Sequence, residues 1–256
     1  MEIICWILIP FIGTSLGTLM VFFMNDSIDK KIEKILLGFS AGVMIASSIW
    51  SLLIPSIEKA SNWGKISWLP ASIGFLCGIL FLLLLDYLIS NLGSNSNIKN
   101  MNMLMLAVTL HNIPEGMAVG VVISGLLCNT SNLLSISTFS IASVYALSIG
   151  IAIQNFPEGA IISMPLKSIG LSKKRACLYG ILSGVVEPIA AIITLLLTNF
   201  ISCLLPYLLA FAAGSMFYVV INELIPEAQD DNNNSICTLG TTCGFLLMMI
   251  LDVMLN

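Results

Sequence analysis

Charge is scarce in this 256-residue chain, which has 10 Lys and Arg, 14 Asp and Glu and one histidine. Charged residues make up 9 % and apolar ones 57 %, against roughly 25 % and 45–50 % in soluble domains. With a mean hydropathy of +1.00, the chain belongs in a bilayer rather than in water. The lone histidine leaves no HExxH helix to build, which argues against an intramembrane metalloenzyme. A net charge of −4 with no basic face argues against a nucleic-acid partner. The seven cysteines (Cys5, Cys77, Cys128, Cys177, Cys203, Cys237, Cys243) form no CxxC pair, so they read as buried thiols acting as small hydrophobes. Residue 2 is Glu and no basic segment precedes the first apolar run, so that run is expected to be a retained helix rather than a cleaved signal peptide.

Long apolar runs dominate what remains. Those able to cross about 30 Å of hydrocarbon lie near 3–24, 35–56, 68–90, 102–124, 138–164, 176–200, 205–226 and 236–255. The expected fold is therefore all-α: a single transmembrane domain over 1–256 with eight transmembrane helices and short connections. Lys30, Lys31, Lys34, Lys99, Lys167, Lys173, Lys174 and Arg175 follow spans 1, 3 and 5, and only Lys59 and Lys65 lie on the other side. That asymmetry puts the odd-numbered loops in the cytoplasm and both termini outside. The cluster at 173–175 suits a topology anchor on anionic lipid headgroups.

The chain also repeats itself. Phe39-Ser40-Ala41-Gly42-Val43-Met44 in span 2 resembles Phe211-Ala212-Ala213-Gly214-Ser215-Met216 in span 7, and each run then reaches Leu-Ile-Pro, at 53–55 and 224–226. Segments five spans apart run in opposite directions, which is the pattern of inverted repeats with a substrate site at their interface. Two further segments are near copies, His111-Asn112-Ile113-Pro114-Glu115-Gly116 in span 4 and Gln154-Asn155-Phe156-Pro157-Glu158-Gly159 in span 5. Between Lys99 and Lys167 the charge-bearing side chains are His111, Glu115 and Glu158. An ionisable group at that depth is a functional-site hypothesis by default.

Helical spacing puts His111 and Asn112 on the face of Glu115, and Gln154 and Asn155 on the face of Glu158. If the two helices face each other, the glutamates bridge two cation positions. One is built from His111, Gln154, Glu115 and Glu158, the other from Asn112, Asn155, Glu115 and Glu158. Pro114 and Pro157 cannot donate to the carbonyls of Leu110 and Ile153, which frees oxygens that must face protein or a polar cavity. A third helix adds Glu187, beside Pro188 in an apolar run. Three uncompensated carboxylates at about 2.5–3.5 kcal/mol each would cost on the order of 8–10 kcal/mol. A divalent cation relieves that penalty, as do protons in its absence, so metal binding should depend on pH. Glu223 is either a release-side ligand or an interface charge. Asp86 and Asp252, near span ends, are expected as snorkelled interface charges, and Glu227, Asp230 and Asp231 as a solvated linker. Imidazole with carboxylate and amide oxygens suits zinc, iron, manganese or cadmium as transported substrate. An ion that must also leave suits transport better than storage. No organic cofactor and no enzymatic activity are expected. Channel-like metal or proton conduction through the same carboxylates is the alternative.

The paired motifs, with Ser183-Gly184-Val185-Val186-Glu187-Pro188 in span 6, resemble the ZIP (Zrt-, Irt-like) divalent metal transporters, most closely the bacterial GufA-like branch. The resemblance extends over nearly the whole chain. It implies a binuclear transport site at His111, Asn112, Glu115, Gln154, Asn155, Glu158 and Glu187, with Glu223 at an acidic position on the cytoplasmic exit path. It further implies a homodimer, uptake of zinc and related divalents into the cytosol, and an elevator-like shift of one helix bundle against another. The chain departs from the pattern at three places. Its span 3–4 loop is short and has no histidine, position 154 is Gln where several branches have His, and position 155 is Asn where close relatives can have Asp. The bacterial inner membrane is the expected location.

Overall fold

The computed structural model describes residues 2–23, 29–92, 109, 112–127, 139–168, 170–200, 204–229 and 234–255. Among them the secondary structure is helical throughout, with no strand. A bilayer leaves unpaired backbone groups no water to bond, so a helix is the only open-chain form that satisfies them. The helices are α1 Glu2–Phe23, α2 Lys30–Ser47, α3 Ile54–Lys59, α4 Trp68–Leu92, α5 Asn112–Leu127 and α6 Ile141–Ser168. They continue with α7 Lys173–Gly184, α8 Val186–Phe200, α9 Leu205–Val219, α10 Ile225–Ala228 and α11 Asn234–Leu255. The Asp29 side chain caps α2 by accepting from the Lys31 N–H at 2.8 Å, and Ser172 does the same for α7 through Arg175 N–H.

Among the described residues, six helices or joined helices are long and apolar enough to cross a membrane: Glu2–Phe23, Lys30–Lys59, Trp68–Leu88, Lys173–Leu197, Leu205–Ala228 and Ser235–Met254. Helix α6, at 28 residues, has the length as well, but its Gln154, Asn155 and Glu158 interrupt the apolar run. The apolar stretch Asn112–Leu127 is shorter, and the residues before it that belong to the expected fourth span, Thr109 excepted, lie outside the described ones.

Small residues set the packing. Gly13 and Gly17 of α1 lie against the backbone of Ala152 and Phe156 in α6. Gly38 and Gly42 of α2 lie against α11, and Gly74 and Gly78 of α4 against α9. Gly116 and Gly120 of α5 lie against Glu187 and Ala191 in α8. Each pair has the GxxxG spacing that lets two helix backbones touch where lipid offers no hydrophobic drive to association. If spans 1–3 and 6–8 are exchanged, and span 4 with span 5, α1–α6 maps onto α8–α5 and α2–α11 onto α9–α4. The pairing is thus the same in both halves.

The repeated Leu-Ile-Pro marks a second shared device. Between α2 and α3, and again between α9 and α10, the chain widens into a π-helical turn, Ser48–Leu53 and Val220–Leu224. Pro55 and Pro226 lack the N–H that would bond the carbonyl four residues back, at Ser51 and Asn222. The backbone bonds five residues back instead, from Ile54 N–H to Ile49 and from Ile225 N–H to Val220. The side chains of those same two residues reach an aspartate. Ser51 donates to Asp252 of α11, with Oγ 2.9 and 2.8 Å from its two carboxylate oxygens, and Asn222 donates to Asp86 of α4 at 3.3 Å. Tyr218 adds a 2.7 Å bond to Asp86. The two aspartates stand at matching positions, eight residues after Gly78 and eight after Gly244. Asp252 is only 1 % exposed, so it is a buried hydrogen-bond acceptor and not the interface charge its position near a span end suggested.

Packing sorts the helices into two bundles. One holds α1, α6, α7 and α8, with α5 docked on α8 through its glycines; the other holds α2, α3, α4, α9, α10 and α11. They meet chiefly where α6 lies along α2 and α11.

Candidate functional site

The paired motifs lie on α5 and α6, whose polar residues are almost wholly removed from the surface. Glu115 and Gln154 are fully buried, and Asn112, Asn155 and Glu187 are at most 3 % exposed. Glu158 is partly buried, with Oε1 enclosed. His111 lies outside the described residues.

Helix α6 runs unbroken through Pro157. On it, Gln154 donates from Nε2 to Glu115 Oε1 at 3.0 Å, which joins the first residue of one motif to the glutamate of the other. The backbone carbonyl of Gln154 accepts from Ser40 of α2 at 3.1 Å. Asn112 donates to the Ser183 carbonyl at 3.1 Å, tying α5 to the end of α7.

The expected sixth span is present as one apolar run, Lys173–Leu197, with a one-residue interruption of the helix at Val185, whose backbone stays in the helical region. Pro188 cannot donate to the Gly184 carbonyl. Glu187 therefore stands in the first turn of α8, where the dipole of a helix favours negative charge.

The glycine that closes each motif has a packing role. Gly116 sits on the backbone of Glu187, and Gly159 sits on the backbone of Thr14 in α1. Glu115, Glu187 and Glu223 all lie near enough to Glu158 for their charges to act on it. Glu223 is carried by the second π-helical turn. It shares with Asn112, Glu158 and Glu227 a cleft of about 80 Å³.

Among the described residues, the buried oxygens of this cluster without a hydrogen-bond partner include Gln154 Oε1, Asn155 Oδ1, Glu158 Oε1 and Glu187 Oε2. Buried acceptors are nearly always satisfied, so their clustering makes this region the candidate ligand site. Among the described residues no three carboxylate, imidazole or thiol groups close into a metal cage. Any cation held here by the described side chains draws on amide oxygens as well as carboxylates.

Motif reading missed Thr14 and Ser183. Thr14 donates to Glu187 Oε1 at 2.5 Å and accepts from Asn155 Nδ2 at 3.1 Å. It is a lone hydroxyl in an apolar run, with no spacing to flag it. Ser183 contributes through its backbone, which a side-chain motif does not report.

The model of the family described as ZIP Zinc transporter matches residues 100–252, which hold both motifs, Glu187 and Glu223. The chain is 34 % identical to "Zinc transporter ZIP11" of Xenopus tropicalis over 320 aligned positions, covering 94 % of this chain and 93 % of that protein. It is 32 % identical to "Zinc transporter GufA" of Myxococcus xanthus, covering 95 % of each. It is 31 % identical to "Zinc transporter ZIPB" of Bordetella bronchiseptica, covering 96 % of this chain and 79 % of that one. With its buried paired motifs and its membrane-crossing helices, the chain belongs to the ZIP family of zinc transporters.

Proposed function

We propose that this protein carries zinc and related divalent transition metals, among them cadmium, iron and manganese, into the cytosol through a binuclear site inside the membrane. His111, Asn112, Glu115, Gln154, Asn155, Glu158 and Glu187 supply the ligands, and Glu223 receives the ion on the cytoplasmic side. The observation that carries this reading is the set of buried oxygens without donors, Gln154 Oε1, Asn155 Oδ1, Glu158 Oε1 and Glu187 Oε2 among them. Two of them are amide carbonyl oxygens, which ligate cations but do not exchange protons, so a metal fits the set better than a proton relay does.

The two-bundle packing supports an elevator-like movement. Every proposed ligand among the described residues except Glu223 belongs to the α1–α5–α6–α7–α8 bundle, while Glu223 belongs to the other. Displacement of the first bundle along α2 and α11 would bring the loaded site past Glu223. The lysine asymmetry supports termini outside. Eight spans, a homodimer and a bacterial inner-membrane location rest on the family resemblance and the hydropathy pattern.

The test is uptake of radioactive zinc into proteoliposomes, with competing Cd, Mn, Fe, Mg and Ca, for wild type and His111→Ala. Saturable uptake that Cd blocks and Mg and Ca do not, weakened by the histidine change, is the expected result. Large single-channel currents would favour channel-like conduction. No uptake of any of these ions by folded, inserted protein would refute the proposal.

A further inference from the structure

Helix α1 contributes none of the residues proposed as ligands, yet its Thr14 is 2 % exposed and bonded to two of them. A threonine hydroxyl has one proton to give. Glu187 Oε1 lies 2.5 Å away and the Pro10 carbonyl 3.4 Å, so the proton belongs to the carboxylate. With that proton committed, Thr14 can only accept from Asn155, whose amide must turn its NH₂ toward the hydroxyl. The carbonyl oxygen of Asn155 is then left over, as is the second oxygen of Glu187, and these two are among the buried oxygens without a donor.

The repeat places Thr14 where it is. Gly159 of the α6 motif packs on the backbone of Thr14, as Gly116 of the α5 motif packs on that of Glu187. Under the exchange of the two halves, Thr14 is the counterpart of Glu187. One repeat offers a carboxylate at this crossing, and the other offers the hydroxyl that holds it.

We infer that Thr14 is a positioning residue for the cation position served by Asn155 and Glu187: its hydroxyl fixes the Asn155 amide with its oxygen toward the ion and holds one oxygen of Glu187 aside. This rests on the metal site proposed above.

The experiment compares zinc uptake by reconstituted wild type, Thr14→Val, Thr14→Ser and Glu187→Gln. Valine keeps the methyl that packs near Gly184 and removes only the hydroxyl. Losing a hydrogen bond to a charged group is worth about tenfold or more, so Thr14→Val is expected to raise KM for zinc about tenfold with Vmax near wild type. Serine is expected to bring KM back to the wild-type value. If valine does not insert, Thr14→Ala makes the same test. An unchanged KM in the hydroxyl-free variant overturns the inference. So does a serine variant as impaired as valine, because that would make Thr14 a packing contact. If Glu187→Gln alone raises KM, the failure belongs to Thr14; if Glu187→Gln also leaves KM unchanged, the metal-site reading has failed with it.

Discussion

Replacing Gly116 with alanine is expected to stop zinc uptake while the protein still inserts. A β-carbon built on Gly116 falls within 3.0 Å of the Glu187 backbone carbonyl, whereas ordinary contact begins at 3.4 Å. The atom it meets is backbone, so no rotamer change relieves the clash, and α5 and α8 must separate by roughly 1 Å. Overpacking of this kind costs about 1–3 kcal/mol, which a well-packed bundle can absorb. The functional cost is larger, because the residue pushed away is Glu187 itself. Its 2.5 Å bond to Thr14 would stretch beyond about 3.2 Å, outside hydrogen-bond range. A 1 Å displacement at a site of fixed geometry can cost on the order of a hundredfold. Gly150→Ala provides the control, since its added methyl meets the end of the flexible Met248 side chain instead of backbone. Initial rates of radioactive zinc uptake, normalised to inserted protein, should be near background for Gly116→Ala and close to wild type for Gly150→Ala. Wild-type uptake and KM in Gly116→Ala would refute the reasoning that this glycine sets the Glu187 position.

Three further outcomes follow from the same geometry. Ser51→Ala removes the donor shared by both oxygens of buried Asp252, and should cost about 1–3 kcal/mol, read as a lower Tm in detergent; an unchanged Tm would contradict the role given to that bond. Pro226→Ala restores an N–H that can bond the Asn222 carbonyl, and should tighten the π-helical turn and swing Glu223 out of the cleft it shares with Glu158. Vmax should then fall with KM little changed, and wild-type Vmax would count against Glu223 as an exit-side group. A Lys174→Cys variant in a cysteine-free background should react with an impermeant thiol reagent only when the cytoplasmic face is exposed, and labelling in intact cells would reverse the assigned orientation.

Much of this architecture is legible in the sequence because bilayer physics is restrictive. Apolar runs must be helices, and polar residues within them need a reason. That logic picks out Glu115, Glu158 and Glu187, and the Gln154–Glu115 bond follows once the two motif helices meet. The Phe39–Met44 and Phe211–Met216 likeness indicates a repeat, and the equivalent helix pairings and twin π-helical turns give it structural form. Other features are hidden from a one-dimensional reading. Pro55 and Pro226 look like helix ends, because a sequence does not reveal that the backbone will bridge them with bonds five residues back. The run from 176 to 200 reads as one apolar span and is one, and the one-residue interruption at Val185 between Gly184 and Val186 is too local for hydropathy to report. Asp252 looks like an interface charge until Ser51, some two hundred residues away in the chain, is seen to bind it. Thr14 gives no local signal, since its role exists only where α1, α6 and α8 cross.

The central claim is that metal crosses the membrane through the buried carboxylates of the paired motifs. Its most direct test is radioactive zinc uptake by proteoliposomes holding the Glu115→Ala, Glu158→Ala double variant beside wild type, with folding and insertion checked on the same preparations. Saturable uptake by wild type and none by the folded double variant is the expected result. Equal uptake by both would contradict the claim.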